Sequence, residues 1–270
     1  MDLGLQGKRV VVTGGSKGIG YAIAEEFLKE GSHVVISGRN PKDLEDAVKR
    51  LQQKGGGTIQ GFALDGSREL EVYELARLAA EDTGNIDVWI NNIGTNRPRA
   101  GELYTEEELD FLISACFKSA VFGSQAAFTY MKDGGGSIVN IASLAARSAT
   151  CGRSTIYGAL KSAILGLTNT TAGEYAAYGI RVNAVLPGYT RTPLVEGSFS
   201  KEALTRLLKD NLTGRMAEPA EIARPVVFLA SDAASYITAA SLEVSGGHAR
   251  VLNPWYSFEK RQSEELSGKE

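Results

Sequence analysis

Apolar and β-branched residues gather in short runs along the chain: Arg9–Thr13, His33–Ser37, Thr58–Ala63, Asp87–Asn91, Ser137–Ile141, Arg181–Leu186 and, more weakly, Ser241–Val244. Such runs predict strands. Between them lie longer segments, near 19–30, 41–54, 67–83, 105–131, 155–178 and 218–230, whose apolar positions recur with helical spacing. Strand and helix in strict alternation call for a parallel sheet with helices on both faces. Because crossovers between parallel strands are right-handed, the expected fold is α/β: a single-domain, doubly wound Rossmann fold of about seven strands.

Composition sharpens this picture at the junctions. The chain of 270 residues has 31 glycines, where a background of roughly 7% would give about 19. Gly31, Gly55 to Gly57, Gly84, Gly134 to Gly136 and Gly179 each follow a helical segment, where a left-handed residue commonly ends the helix. No repeat or linker divides the chain, so residues 1–252 read as one Rossmann-type domain. The extension 253–270 begins with Trp255, Tyr256 and Phe258 and turns polar from Glu259 onward. It is expected to be partly mobile.

Charge and rare residues then exclude whole classes of function. A net charge of −3 leaves no basic footprint for nucleic acid or an anionic membrane. The two cysteines, Cys116 and Cys151, and the two histidines, His33 and His248, form no metal-binding spacing or disulfide framework. Lys118 and Lys161 interrupt the two long apolar stretches, which fall short of the ~20 clean residues of a membrane span. With no secretory pattern at the start, a reducing cytoplasm is the expected location.

Candidate chemistry starts where the first strand runs into the first helix. Thr13-Gly14-Gly15-Ser16-Lys17-Gly18-Ile19-Gly20 lets the backbone approach a pyrophosphate at a helix N-terminus; outside this setting it would read as an ordinary turn. The second strand ends in Ser37-Gly38-Arg39-Asn40, without the acid that would accept a ribose 2′-hydroxyl. Arg39, with Lys17 as a second cation, can instead pair with a 2′-phosphate, so NADP(H) is expected in preference to NAD(H). The alternative is that both are solvated surface cations. Farther on, Ser143 ends the fifth strand, and Tyr157 and Lys161 stand four residues apart on a helix. A cation beside a phenol favours phenolate, which suits Tyr157 to acid/base work, while Ser143 can hold a reacting oxygen.

These motifs together resemble the classical short-chain dehydrogenase/reductase family. Asn91-Asn92-Ile93-Gly94, Asp65, Arg181-Val182-Asn183 and Pro187-Gly188-Tyr189-Thr190-Arg191-Thr192 follow in that family's order, and the likeness covers about residues 5 to 252. The resemblance implies reversible hydride transfer between a nicotinamide cofactor and a ketone or secondary alcohol. It implies Tyr157 as the proton donor, Lys161 on the nicotinamide ribose and Ser143 on the substrate. Asn91 and Gly94 would line the cleft, Asp65 would meet adenine, and Pro187, Gly188 and Thr192 would surround the nicotinamide amide. It also implies a homodimer or homotetramer built on the helices near 105–131 and 155–178.

Three departures qualify the likeness. Cys116 stands where most members carry a catalytic asparagine, and a thiol is a poor substitute for an amide in a proton relay. That keeps open a cofactor-binding protein with little catalysis, acting as a sensor or assembly subunit. The Ser143 to Tyr157 interval is one residue longer than usual, and Ser245 replaces an aspartate. Substrate choice falls to loops carrying Arg97, Arg99, Arg147 and Arg153, and to Tyr189, Leu194, Val195 and Phe199. Those arginines either favour an anionic substrate or are solvated. Three substrate classes remain: 3-oxoacyl thioesters, sugars or polyols, and cyclic or steroid ketones.

Overall fold

All seven apolar runs become strands: β1 (Arg9–Val12), β2 (His33–Gly38), β3 (Thr58–Ala63), β4 (Val88–Asn91), β5 (Gly136–Ile141), β6 (Ile180–Pro187) and β7 (Ser241–Val244). A computed structural model describes residues 2–96, 104–148, 155–197 and 199–267. The strands form one sheet in the order β3-β2-β1-β4-β5-β6-β7, every pair parallel. The chain builds outward from β1 to β3 and then returns to lay β4 on the other side of β1. That reversal opens a crevice at the C-terminal ends of β1 and β4, where ligands bind in such sheets.

The helices are α1 (Gly18–Lys29), α2 (Pro41–Leu51), α3 (Glu69–Ala79), α4 (Glu106–Ile113), α5 (Ser119–Met131), α6 (Thr155–Tyr175), α7 (Pro193–Glu196), α8 (Lys201–Leu208), α9 (Pro219–Ala230) and α10 (Tyr256–Ser267). Side chains alternate along each strand, so one strand feeds two cores. Val10, Val12, Ile36 and Ile90 pack with Ile23, Phe27, Leu51 and Val226 from α1, α2 and α9. Val11, Val35, Trp89 and Ile138 pack with Val72, Leu75, Ala127 and Met131 from α3 and α5. Phe27 and Trp89 are wholly buried, and truncating either to alanine costs about 3–5 kcal/mol.

The structure departs from the sequence expectation in four places. The helix expected over 105–131 is interrupted by a π-helical turn, Ser114–Lys118, between α4 and α5. The run Glu106–Met131 is long enough to span a membrane and its most apolar 18-residue window has a mean hydropathy of 1.3, yet half of that window is buried inside the protein. Among the helix-ending glycines, Gly31, Gly84, Gly135 and Gly179 have positive φ. The Gly55–Gly57 run does not; a side chain at Gly57 would collide with the Ser32 carbonyl, so close approach is its constraint. Helices α7 and α8, capped by the Thr192 and Ser200 side chains, lie where loop was expected. Finally, the polar tail forms α10, which carries Lys260–Glu264 and Arg261–Glu265 pairs one turn apart.

Candidate active site

The glycine turn is held from β4. Thr13 donates its hydroxyl to the Ile90 carbonyl at 3.1 Å and accepts the Asn92 N–H at 3.0 Å. The Asn92 amide donates to the Thr13 and Gly14 carbonyls, both at 3.0 Å. Asn92 is therefore a site residue that sequence reading leaves out, although its place beside Asn91 signals it: neighbours on a strand face opposite ways. Gly14 and Gly18 have φ of +67° and +58°, in the left-handed region that favours glycine. At the start of α1 the Lys17 side chain makes no capping bond and no acid stands in the first turn. The N–H groups and the positive helix end are thus left for an anion, and the turn fits the pyrophosphate of a dinucleotide.

A second group of residues gathers across the crevice. Ser143 accepts the Ala145 N–H at 3.1 Å, and its hydroxyl is hydrogen-bonded to the Tyr157 phenol. Lys161, 3% exposed, donates to the Ile141 carbonyl at 2.7 Å, and its Nζ stands 5.9 Å from the Tyr157 ring centre. A side chain at Gly94 would begin 3.0 Å from that Nζ. The sequence thus places the phenol, hydroxyl and ammonium together, but their electrostatics differ from expectation. Burial pushes the phenol up to about 12, against the pull of the Ser143 hydrogen bond. Burial also lowers the Lys161 ammonium. Desolvation comes first among the causes acting on the phenol, with Cys116 raising it further and the Ser143 hydrogen bond lowering it, so the environment favours the protonated phenol.

Cys116, 1% exposed, sits in the π-helical turn with Leu112 and Leu160 around it. Its Sγ donates to the Thr95 carbonyl at 3.0 Å and accepts the Thr95 N–H at 3.4 Å. The thiol therefore holds the backbone immediately after Gly94.

Other expected site residues are placed as follows. Arg39 is exposed at the end of β2. Lys17 is not a free second cation, because its Nζ is 2.6 Å from the Asp43 carboxylate. Asp65 turns its carboxylate to the N–H and hydroxyl of Ser67, at 3.0 and 2.8 Å. The Asn91 side chain faces the core rather than the crevice: it accepts the Trp89 indole N–H at 2.8 Å and donates to Ser124 and Asn140 at 3.1 and 2.8 Å. Ile19 packs on the core, and Ser16 lies against Gly38. Gly20 lies beneath the Gly14 carbonyl and the Asn92 amide, with no room for a side chain. Pro187 ends β6, and a side chain at Gly188 would meet Ser245. Thr192 caps α7 and comes close to Gly18, so the segment after β6 reaches across to the glycine turn. Tyr189 lies edge-on to Phe199 and His248. Arg147 is paired with Glu243, which also holds Arg250. Arg97, Arg99, Cys151 and Arg153 lie outside the described residues.

A family model described as enoyl-(acyl carrier protein) reductase matches residues 14–249. A tropinone reductase homolog of Arabidopsis thaliana is 38% identical over 246 residues, which cover 90% of this chain and 91% of that one. The 3-oxoacyl-[acyl-carrier-protein] reductase of Thermotoga maritima is 34% identical over 244 residues, covering 90% and 98%. Among solved structures, a 7α-hydroxysteroid dehydrogenase complexed with NADH and 7-oxo glycochenodeoxycholic acid superposes with a TM-score of 0.87. It is 31% identical and the match covers 93% of this chain and 98% of that one.

Proposed function

The chain belongs to the short-chain dehydrogenase/reductase family, and from that premise we propose that it moves a hydride between NADP(H) and a ketone or secondary alcohol, with Tyr157 as proton donor. Members of the family are oxidoreductases that act on C=O and CH–OH groups of small molecules with NAD(P)(H). The observation that carries the reading is the convergence of the Tyr157 phenol, Ser143 hydroxyl and Lys161 ammonium beside Gly94. The bound nicotinamide supplies the hydride in reduction and takes it in oxidation.

The residues of the chain divide the remaining work. The Ser143 oxygen accepts the Ala145 N–H and its hydroxyl is bonded to the Tyr157 phenol, so a substrate oxygen is held where it can take over that hydroxyl proton. The Tyr157 phenol, protonated at neutral pH, gives its proton to that oxygen as the carbon receives hydride, and regains one from solvent. Lys161 spends one of its three N–H donors on Ile141, leaving two for ribose hydroxyls. Asp65 and the backbone at Asn91 complete the adenosine and ribose sides, and Pro187, Gly188 and Thr192 the amide side.

The preference for NADP(H) rests on Arg39, since the fold admits either cofactor: the hydroxysteroid dehydrogenase neighbour carries NADH. The relatives' names point to acyl thioesters, steroids and tropinone-like cyclic ketones as the first substrates to assay. Tyr157→Phe is expected to lower kcat by about 10²- to 10⁴-fold while leaving NADPH affinity within about twofold. Wild-type protein that binds NADPH tightly yet turns over no ketone or alcohol would establish the sensor or assembly reading that Cys116 keeps open. A higher kcat/KM with NADH than with NADPH would overturn the cofactor preference. We also take the working form to be a homodimer or homotetramer joined through α5 and α6.

A further inference from the structure

We propose that Asp43 is a specificity-determining residue that restrains the preference for NADP(H) by holding Lys17 away from the 2′-phosphate; this rests on the reading that Arg39 receives that phosphate. The glycine turn and the start of α2 bring three charges together. Arg39 is exposed and forms no ion pair among the described residues. Lys17 reaches over from the other side, with Nζ and the Asp43 carboxylate 2.6 Å apart. Asp43 is fixed in place, for its N–H is the one that the Asn40 side chain caps, at 3.1 Å. Pro41 leads the same turn.

A 2′-phosphate delivered to Arg39 enters this group as a dianion. Lys17 then either breaks its pair with Asp43 to meet the phosphate, or stays on Asp43 and gives the phosphate no second cation. Either route weakens binding of the phosphorylated ribose and leaves the unphosphorylated one untouched. Removing the charge of Asp43 therefore frees Lys17 for the phosphate, with no loss to the helix cap, whose acceptor is Asn40. Both side chains of the pair are partly exposed, so the effect is modest and fades with salt.

Calorimetric titration of the cofactor-free protein with adenosine 2′,5′-bisphosphate and with 5′-AMP isolates this effect from catalysis. Asp43→Asn is expected to tighten the bisphosphate by about twofold to fivefold and to leave 5′-AMP unchanged. Asp46→Asn, the same charge change one turn further along α2, is expected to move neither. In a Lys17→Ala background the gain from Asp43→Asn is expected to shrink. An unchanged bisphosphate affinity in Asp43→Asn, an equal gain from Asp46→Asn, or a full-sized gain without Lys17 overturns the inference alone. Wild-type protein that binds bisphosphate no more tightly than 5′-AMP overturns the Arg39 reading and the inference with it.

Discussion

At the Cys116 thiol, both backbone groups of Thr95 find their partner in a single sulfur atom. Cys116→Ala leaves an N–H and a carbonyl without that partner beside the crevice, and an unsatisfied buried group costs about 1–3 kcal/mol. Urea unfolding is expected to show a loss of that size, whereas Cys116→Ser, which keeps a donor and an acceptor, is expected to lose less. An alanine variant as stable as wild type would remove the clamp. Tyr157 allows a second measurement on a single group. Because burial raises its pKa to about 12, its ionisation is expected well above that of tyrosines in water, which ionise near 10. Ultraviolet difference titration of wild type against Tyr157→Phe should therefore show no phenolate from this residue below about pH 10. Ionisation near neutrality in the free protein would restore the phenolate expected from the Tyr157 and Lys161 spacing.

At the scale of elements, the site depends on a polar network threaded through the core. Asn91 on β4 joins the Trp89 indole, the Ala120 carbonyl and Ser124 on α5, and Asn140 on β5. Asn140 in turn reaches Thr168 on α6 at 2.9 Å, the helix that carries Tyr157 and Lys161. Asn91→Ala strands several buried partners at once, so a stability loss of about 2–4 kcal/mol is expected in thermal or urea unfolding. Catalytic decline should accompany it as α6 shifts. The network also marks where sequence reading stops. The strands are legible because a buried parallel strand must be an apolar run, and Ser143, Tyr157 and Lys161 because their chemistry fixes residue type and spacing. An asparagine looks the same whether it faces a crevice or a core, which is why the family resemblance puts Asn91 on the cleft while its side chain turns to the core. The Lys17–Asp43 pair joins residues 26 apart, a separation that no local pattern records. Helix α8 begins after Ser200 in a stretch whose cap is readable and whose Ala203, Leu204, Leu207 and Leu208 share one helical face, but its eight residues are a shorter window than a period call needs.

For the molecule as a whole, the outer face of α6 is the feature that a lone protomer leaves unexplained. Ala159, Ser162, Ala163, Gly166, Thr170 and Gly173 are all exposed, and none carries a charge. A solvated helix face ordinarily carries charged side chains, whereas small residues let two helix backbones approach closely. The protomer itself gives the two glycines no reason to be small: a side chain begun at Gly166 or Gly173 meets nothing within 4 Å. Gly166→Arg should therefore fold at least as well as wild type, since it replaces glycine inside a helix, a gain of about 0.5–1 kcal/mol. The same arginine would stand in the path of a second copy. Light scattering at micromolar concentration is expected to give wild type the mass of a dimer or tetramer and Gly166→Arg a smaller assembly, with circular dichroism unchanged. A wild-type monomer would refute the association, and a variant that still assembles would move the contact off this face of α6.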